Sequence, residues 1–166
     1  MSVQDRVKPQ KSASEKRQFW VRAVILPALI GALAATAILY VPRAGWVSND
    51  VTTGAHPGYP DLQSRKYDSS PSNTLRFASA AASGIRNWKV TNRDETKGTL
   101  HAEVRTAIPL FTDDVSVTVT PTGRDNDSSL VTIHSWSRVG RGDLGENARH
   151  IRALQAAMDE KLPRLE

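Results

Sequence analysis

Val115-Ser116-Val117-Thr118-Val119-Thr120 alternates a valine with a small polar residue, so an extended chain here is apolar along one side only. This period of two is the mark of a strand in a sheet with one buried face. The pattern recurs on both sides of it. Upstream, Leu100, Ala102 and Val104 alternate with His101, Glu103 and Arg105, and Trp88–Arg93 alternates through Trp88 and Val90. Downstream, Val131 and Ile133 alternate with Thr132 and His134. Asp94–Gly98 and Pro121–Ser129 read as turns, and connections this short imply an antiparallel meander of four strands.

A helix is expected on each side of the meander. Ser70 can cap and Pro71 suits a first helical position. Leu75, Ala78, Ala82 and Ile85 then recur at helical spacing, with Gly84 near the end. After the strands, Asp143-Leu144-Gly145-Glu146 fits a capping box, an acidic cap with Glu three residues later. Ile151, Leu154, Ala157 and Met158 follow as an apolar stripe, which Pro163 stops. The expectation is an α+β two-layer domain, α-β-β-β-β-α, with both helices on one face of a four-stranded antiparallel sheet. Residues 42–71, rich in proline and glycine and poor in apolar periodicity, read as an extended linker before a domain at 72–166.

Further upstream, Ala23–Val41 is an uncharged run long enough, at about 1.5 Å per residue, to cross a hydrocarbon core of roughly 30 Å. Phe19 and Trp20 flank one end, and Tyr40 and Trp46 the other, as interfacial rings do. Pro27 falls in the first turns of this run, where a missing donor costs least. A cleaved signal peptide has a similar layout, with Ala35-Thr36-Ala37 as its small-residue site, but this apolar run outlasts the usual signal core. An uncleaved anchor is the expectation. The tail at residues 1–22 carries six basic groups against two acidic ones. That bias keeps it cytoplasmic and puts the domain across an inner membrane, in the periplasm.

The tail also accounts for the formal charge of +5, because residues 51–166 hold 15 basic against 14 acidic side chains. The domain is nearly neutral, which argues against a nucleic-acid partner. Cysteine is absent, so disulfides, thiolate metal sites and cysteine nucleophiles are excluded.

Two ordered motifs carry a resemblance. Phe111-Thr112-Asp113-Asp114-Val115 is followed by Ser135-Trp136-Ser137-Arg138-Val139-Gly140-Arg141-Gly142-Asp143-Leu144-Gly145-Glu146-Asn147. Together they resemble domain-of-unknown-function family 1499, over roughly residues 51–160. Thr52-Thr53-Gly54 and Tyr59-Pro60-Asp61-Leu62 resemble the lead-in of its membrane-anchored members. His134 and Trp136 depart from the residues frequent at those positions. The resemblance implies envelope or thylakoid-type membranes, photosynthetic lineages included, and no established reaction.

Chemistry is weakly signalled. Asp113, Asp114 and Asp143 are three carboxylates from two segments, thin for calcium or magnesium. The structural alternative has Asp143 capping a helix and Asp113 or Asp114 paired with Arg138. Gly140, Gly142 and Gly145 match neither phosphate-loop nor dinucleotide spacing. His56, His101, His134 and His150 lack metal-ligand spacing. No cofactor and no catalytic constellation are expected. The polar sheet face would carry Glu103, Arg105, Asp114, His134, Trp136 and Arg138; Trp136, Arg138 and Arg105 suit a partner surface. Asp113, Asp114, Arg138, Asp143 and Glu146 are expected to form a structural motif. Ala28, Gly31, Ala32 and Ala35 make a small-residue helix face open to another helix. The expected role is a non-enzymatic accessory subunit of a larger membrane assembly, held through helix and linker. An energy-transducing or photosynthetic complex is the first candidate for that assembly. The alternative is a stand-alone envelope domain that binds or processes a small ligand.

Overall fold

The computed structural model describes residues 12–40, 48–106 and 111–165. It divides into two units, one ending at Tyr40 and one beginning at Val41.

The first unit is a continuous helical run of three parts: α1 (Ala13–Trp20), a π-helical turn (Val21–Ile25) and α2 (Leu26–Tyr40). It contains, among the described residues, one helix long and apolar enough to cross a membrane, Arg17–Thr36, with mean hydropathy 1.8. The helical run starts well before the uncharged segment, at Ala13, so Pro27 is not in a first turn. It sits in the interior, directly after the π turn, where the Leu26 amide donates to the Val21 carbonyl. Proline has no amide to donate and its ring crowds the carbonyl one turn back. A widened turn is one way a helix accommodates that. Residues 1–11 of the basic tail and Val41, Pro42 and Trp46 at the far end of the expected span lie outside the described residues.

The second unit contains the expected meander: β3 (Trp88–Asp94), β4 (Thr99–Arg105), β5 (Thr112–Thr122) and β6 (Ser128–Ser137), each antiparallel to the next. At the β3–β4 turn Gly98 has φ of +65°, and a Cβ there would lie 2.6 Å from the Val119 carbonyl oxygen. Only glycine lets this turn lie so close to β5.

The sheet is larger than four strands. Among the described residues it has seven, with β1 (Asp50–Thr52), β2 (Arg65–Tyr67) and β7 (Arg164–Leu165) added. β1 and β2 pair with successive parts of the β6 edge, and β7 pairs with β2. Strands of two or three residues are too short to display a period of two. The segment expected to be a linker is therefore part of the domain from Ser48 onward. Its Val51, Tyr59, Leu62 and Tyr67 are all buried in the core.

Two helices, α3 (Pro71–Gly84) and α4 (Glu146–Asp159), send Leu75, Ala78, Ala82, Ile151, Leu154 and Met158 into one cluster with Leu100, Val115, Val117 and Ile133. Both helices thus cover the same sheet face. Pro71 opens α3 as expected, but the Ser70 side chain makes no cap bond. The neighbouring Ser69 hydroxyl accepts from the Asn73 side-chain amide at 2.8 Å, a bond that satisfies no backbone amide of the helix start.

A candidate ligand cleft at the start of the last helix

Alternation along β5 sends its two adjacent aspartates to opposite faces, Asp113 inward and Asp114 outward. The metal reading of Asp113, Asp114 and Asp143 fails on this point, because the three carboxylates do not converge. No group of three or more potential ligands suited to a metal occurs among the described residues.

Outward, Arg138 grips Asp114 with two hydrogen bonds of 2.7 Å and adds one of 2.6 Å to Glu103. Glu103, Asp114 and Trp136 sit side by side in register. Arg138 is exposed, and its two carboxylate partners raise its pKa. Arg105 is on the same face, exposed, opposite Thr112. Trp136 stacks on His134 at 4.5 Å, and His134 Nε2 reaches Asp50 Oδ1 at 2.9 Å. His101 and His134 both stand opposite Ser116, on this polar face.

Inward, the structure assembles a buried polar cluster that sequence reasoning missed. Ser135 donates to Asn147 Oδ1 at 2.6 Å. Asn147 Nδ2 donates to the Asn49 carbonyl and to Ser137 Oγ, both at 3.0 Å. His150 Nδ1 is 3.4 Å from Ser135 Oγ and 3.7 Å from Asp113 Oδ2. Since the Ser135 proton is used on Asn147, the network assigns the imidazole proton to Nδ1. Asp113 is 2% exposed, and its Oδ2 has no hydrogen-bond partner among the described residues. Burial pushes its pKa up, a Ser137 hydrogen bond opposes this, and the Asp143 and Glu146 charges add to it. Burial pushes His150 down, against the pull of Glu146 and Asp143. The signal in the sequence was Asn147, a polar residue on the same helical face as Ile151, Leu154 and Met158.

Asp143 holds the start of α4 in a different way from a capping box. Leu144 and Gly145 both have positive φ, 55° and 81°, so the helix cannot begin before Glu146. The Asp143 carboxylate still takes the Gly145 amide at 2.8 Å and the Asn147 amide at 2.7 Å. Glu146 does not reach back; it takes a 2.6 Å bond from Arg149 Nε. The Asp143 amide donates instead to the Ser48 carbonyl.

Between β5, the loop after β6 and the first turn of α4 lies a cleft of about 370 Å³. Phe111, Val139 and Leu144 line it and are among the exposed large apolar residues of the domain. Asp113, Ser137, Glu146 and Arg149 supply its polar side. A mostly apolar concavity with few convergent polar groups has the form of a small-molecule site. Its apolar wall and polar base come largely from the two sequence motifs.

The model of the family described as "Protein of unknown function (DUF1499)" matches residues 7–158. The chain belongs to this family. No curated protein matches it. Among solved structures, the crystal structure of TTHA0849 from Thermus thermophilus is similar in part, at 9% identity and TM-score 0.40. That match covers 67% of this chain and 94% of the other. In this DUF1499 domain the motif segment Ser135–Asn147 supplies both the outward Arg138 cluster and the inward cleft. Ala28, Gly31, Ala32 and Ala35, the small-residue set, lie on α2, where a Cβ added at Gly31 would meet nothing within 4 Å.

Proposed function

We propose that this chain is a non-enzymatic, membrane-anchored DUF1499 domain that binds a small ligand in the cleft at the start of α4. The observation that carries the reading is the cleft itself, about 370 Å³ with an apolar lip and a polar base containing a buried, incompletely bonded carboxyl. An inner-membrane location, with the basic tail cytoplasmic and the domain periplasmic, is supported by the charge bias beside the apolar helix. It would put the chain in the membrane-anchored branch of the family. The test is native mass spectrometry of the full chain extracted gently from membranes. The wild type should carry a small-molecule adduct that Val139→Asn/Leu144→Asn lacks, with thermal unfolding unchanged because both side chains are exposed. Identical adducts in the two proteins would remove the cleft from consideration.

A second reading, an accessory subunit of a larger membrane assembly, is favoured by the open small-residue face of α2. An energy-transducing or photosynthetic complex is the first partner to test. Gly31→Leu/Ala35→Leu should abolish copurification with other membrane subunits under mild detergent. Unaltered copurification would exclude that face. The linker contributes less to this reading than its composition suggested, because Val51, Tyr59, Leu62 and Tyr67 pack it into the domain.

A further inference from the structure

We propose that the ligand of this cleft is a cation, a protonated amine carried on a short apolar body; the inference rests on the ligand-binding reading above. Three carboxylates meet the cleft, those of Asp113, Asp143 and Glu146, against the single guanidinium of Arg149. Arg149 is already held by Glu146. An anion would therefore meet net negative charge and find no free cation among the residues lining the cleft. Nor would it find the amides of Gly145, Glu146 and Asn147, all three of which donate to Asp143. A bare divalent metal lacks its ligand set among the described residues.

Asp113 is the independent pointer. It lines the cleft, is 2% exposed, and leaves Oδ2 without a hydrogen bond among the described residues. His150 Nδ1, at 3.7 Å, is beyond hydrogen-bond distance of it. A buried carboxyl in this condition is costly until a donor reaches it. An ammonium group supplies that donor and offsets the surrounding negative charge. The exposed side chains of Phe111, Val139 and Leu144 then cover the alkyl portion. Binding has a second signature: the ammonium favours ionised Asp113 over the neutral form that burial favours, so the complex forms with a fall in the Asp113 pKa.

The test uses the full chain in phosphatidylcholine nanodiscs, labelled with fluorophenylalanine, the Phe111 resonance being assigned by Phe111→Leu. Hexylamine, hexanol and hexanoate are titrated in turn. Hexylamine should shift Phe111 saturably and bind at least about tenfold more tightly than hexanoate. Asp113→Asn should weaken hexylamine about tenfold, and Glu146→Gln, which leaves Asp113 and its burial intact, by a smaller factor. Phosphatidylethanolamine nanodiscs distinguish the source. A Phe111 shift before any amine is added assigns the amine to a lipid headgroup; its absence, with hexylamine binding retained, assigns a soluble amine. Hexanol or hexanoate binding as tightly as hexylamine overturns the amine assignment and leaves the cleft a ligand site. A Phe111 signal unmoved by all three compounds overturns both.

Discussion

Asp113 Oδ2 stands 3.7 Å from His150 Nδ1 inside the domain, a gap wider than a hydrogen bond between two groups that burial drives toward their neutral forms. Neither can hold its charge cheaply there. The pair, with Ser135 and Asn147, forms the polar floor between β5, β6 and α4.

The pH dependence of stability follows from these directions. Asp113 has a folded pKa above its unfolded value, so its contribution is full below the ordinary carboxylate range and is lost as pH rises through the raised value. Asp113→Asn should therefore gain stability relative to wild type at pH 8 compared with pH 4. His150 has a depressed folded pKa, so its contribution is present above the ordinary imidazole range and lost as pH falls through the folded value. His150→Gln should lose less stability than wild type as pH falls below about 6.5. Thermal midpoints across this range give the measurement. Differences from wild type that stay constant with pH would show that neither group titrates in the folded state as described.

Asn147 and Arg138 make similar numbers of hydrogen bonds but should differ in consequence. Asn147 is fully buried and links Ser135, Ser137 and the Asn49 carbonyl. Asn147→Ala strands those groups and should cost about 2–4 kcal/mol by denaturant unfolding. Arg138→Ala acts at an exposed site and should leave the unfolding midpoint unresolved from wild type. A larger loss at Arg138 than at Asn147 would invert this account.

Asp143→Ala removes the acceptor for two amides at the start of α4 and should cost about 1–2 kcal/mol. Asp143→Asn retains one side-chain oxygen and should cost less. Equal losses in the two variants would mean that the charge rather than the hydrogen bonding holds this helix end.

Topology is checked with single cysteines, which are unambiguous because the chain has none. Asp125→Cys, in an exposed turn, should react with a membrane-impermeant reagent added to intact cells. Ser12→Cys should react only after permeabilisation. The opposite pattern would reverse the proposed orientation.

Where local pattern was long enough, the amino-acid sequence by itself determined the outcome. Valines at every second position in 115–119 face the core, Leu75, Ala78 and Ala82 line one side of α3, and the uncharged run beside a basic tail makes a helix of spanning length. These follow from periods of two and 3.6, which need only near neighbours. The motif also made Asp143 legible as a helix-start residue, though not the two left-handed residues that delay the helix to Glu146. Tertiary structure alone decided the rest. β1 and β2 are too short to carry a period, and become strands because β6 presents an edge to pair. Asp113 and Asp114 are chemically alike in the chain, and only the sheet's two faces separate a buried carboxyl from one held by Arg138. Asp113, Ser135, Asn147 and His150 come from two strands and a helix, and their meeting is a long-range contact that no local spacing encodes.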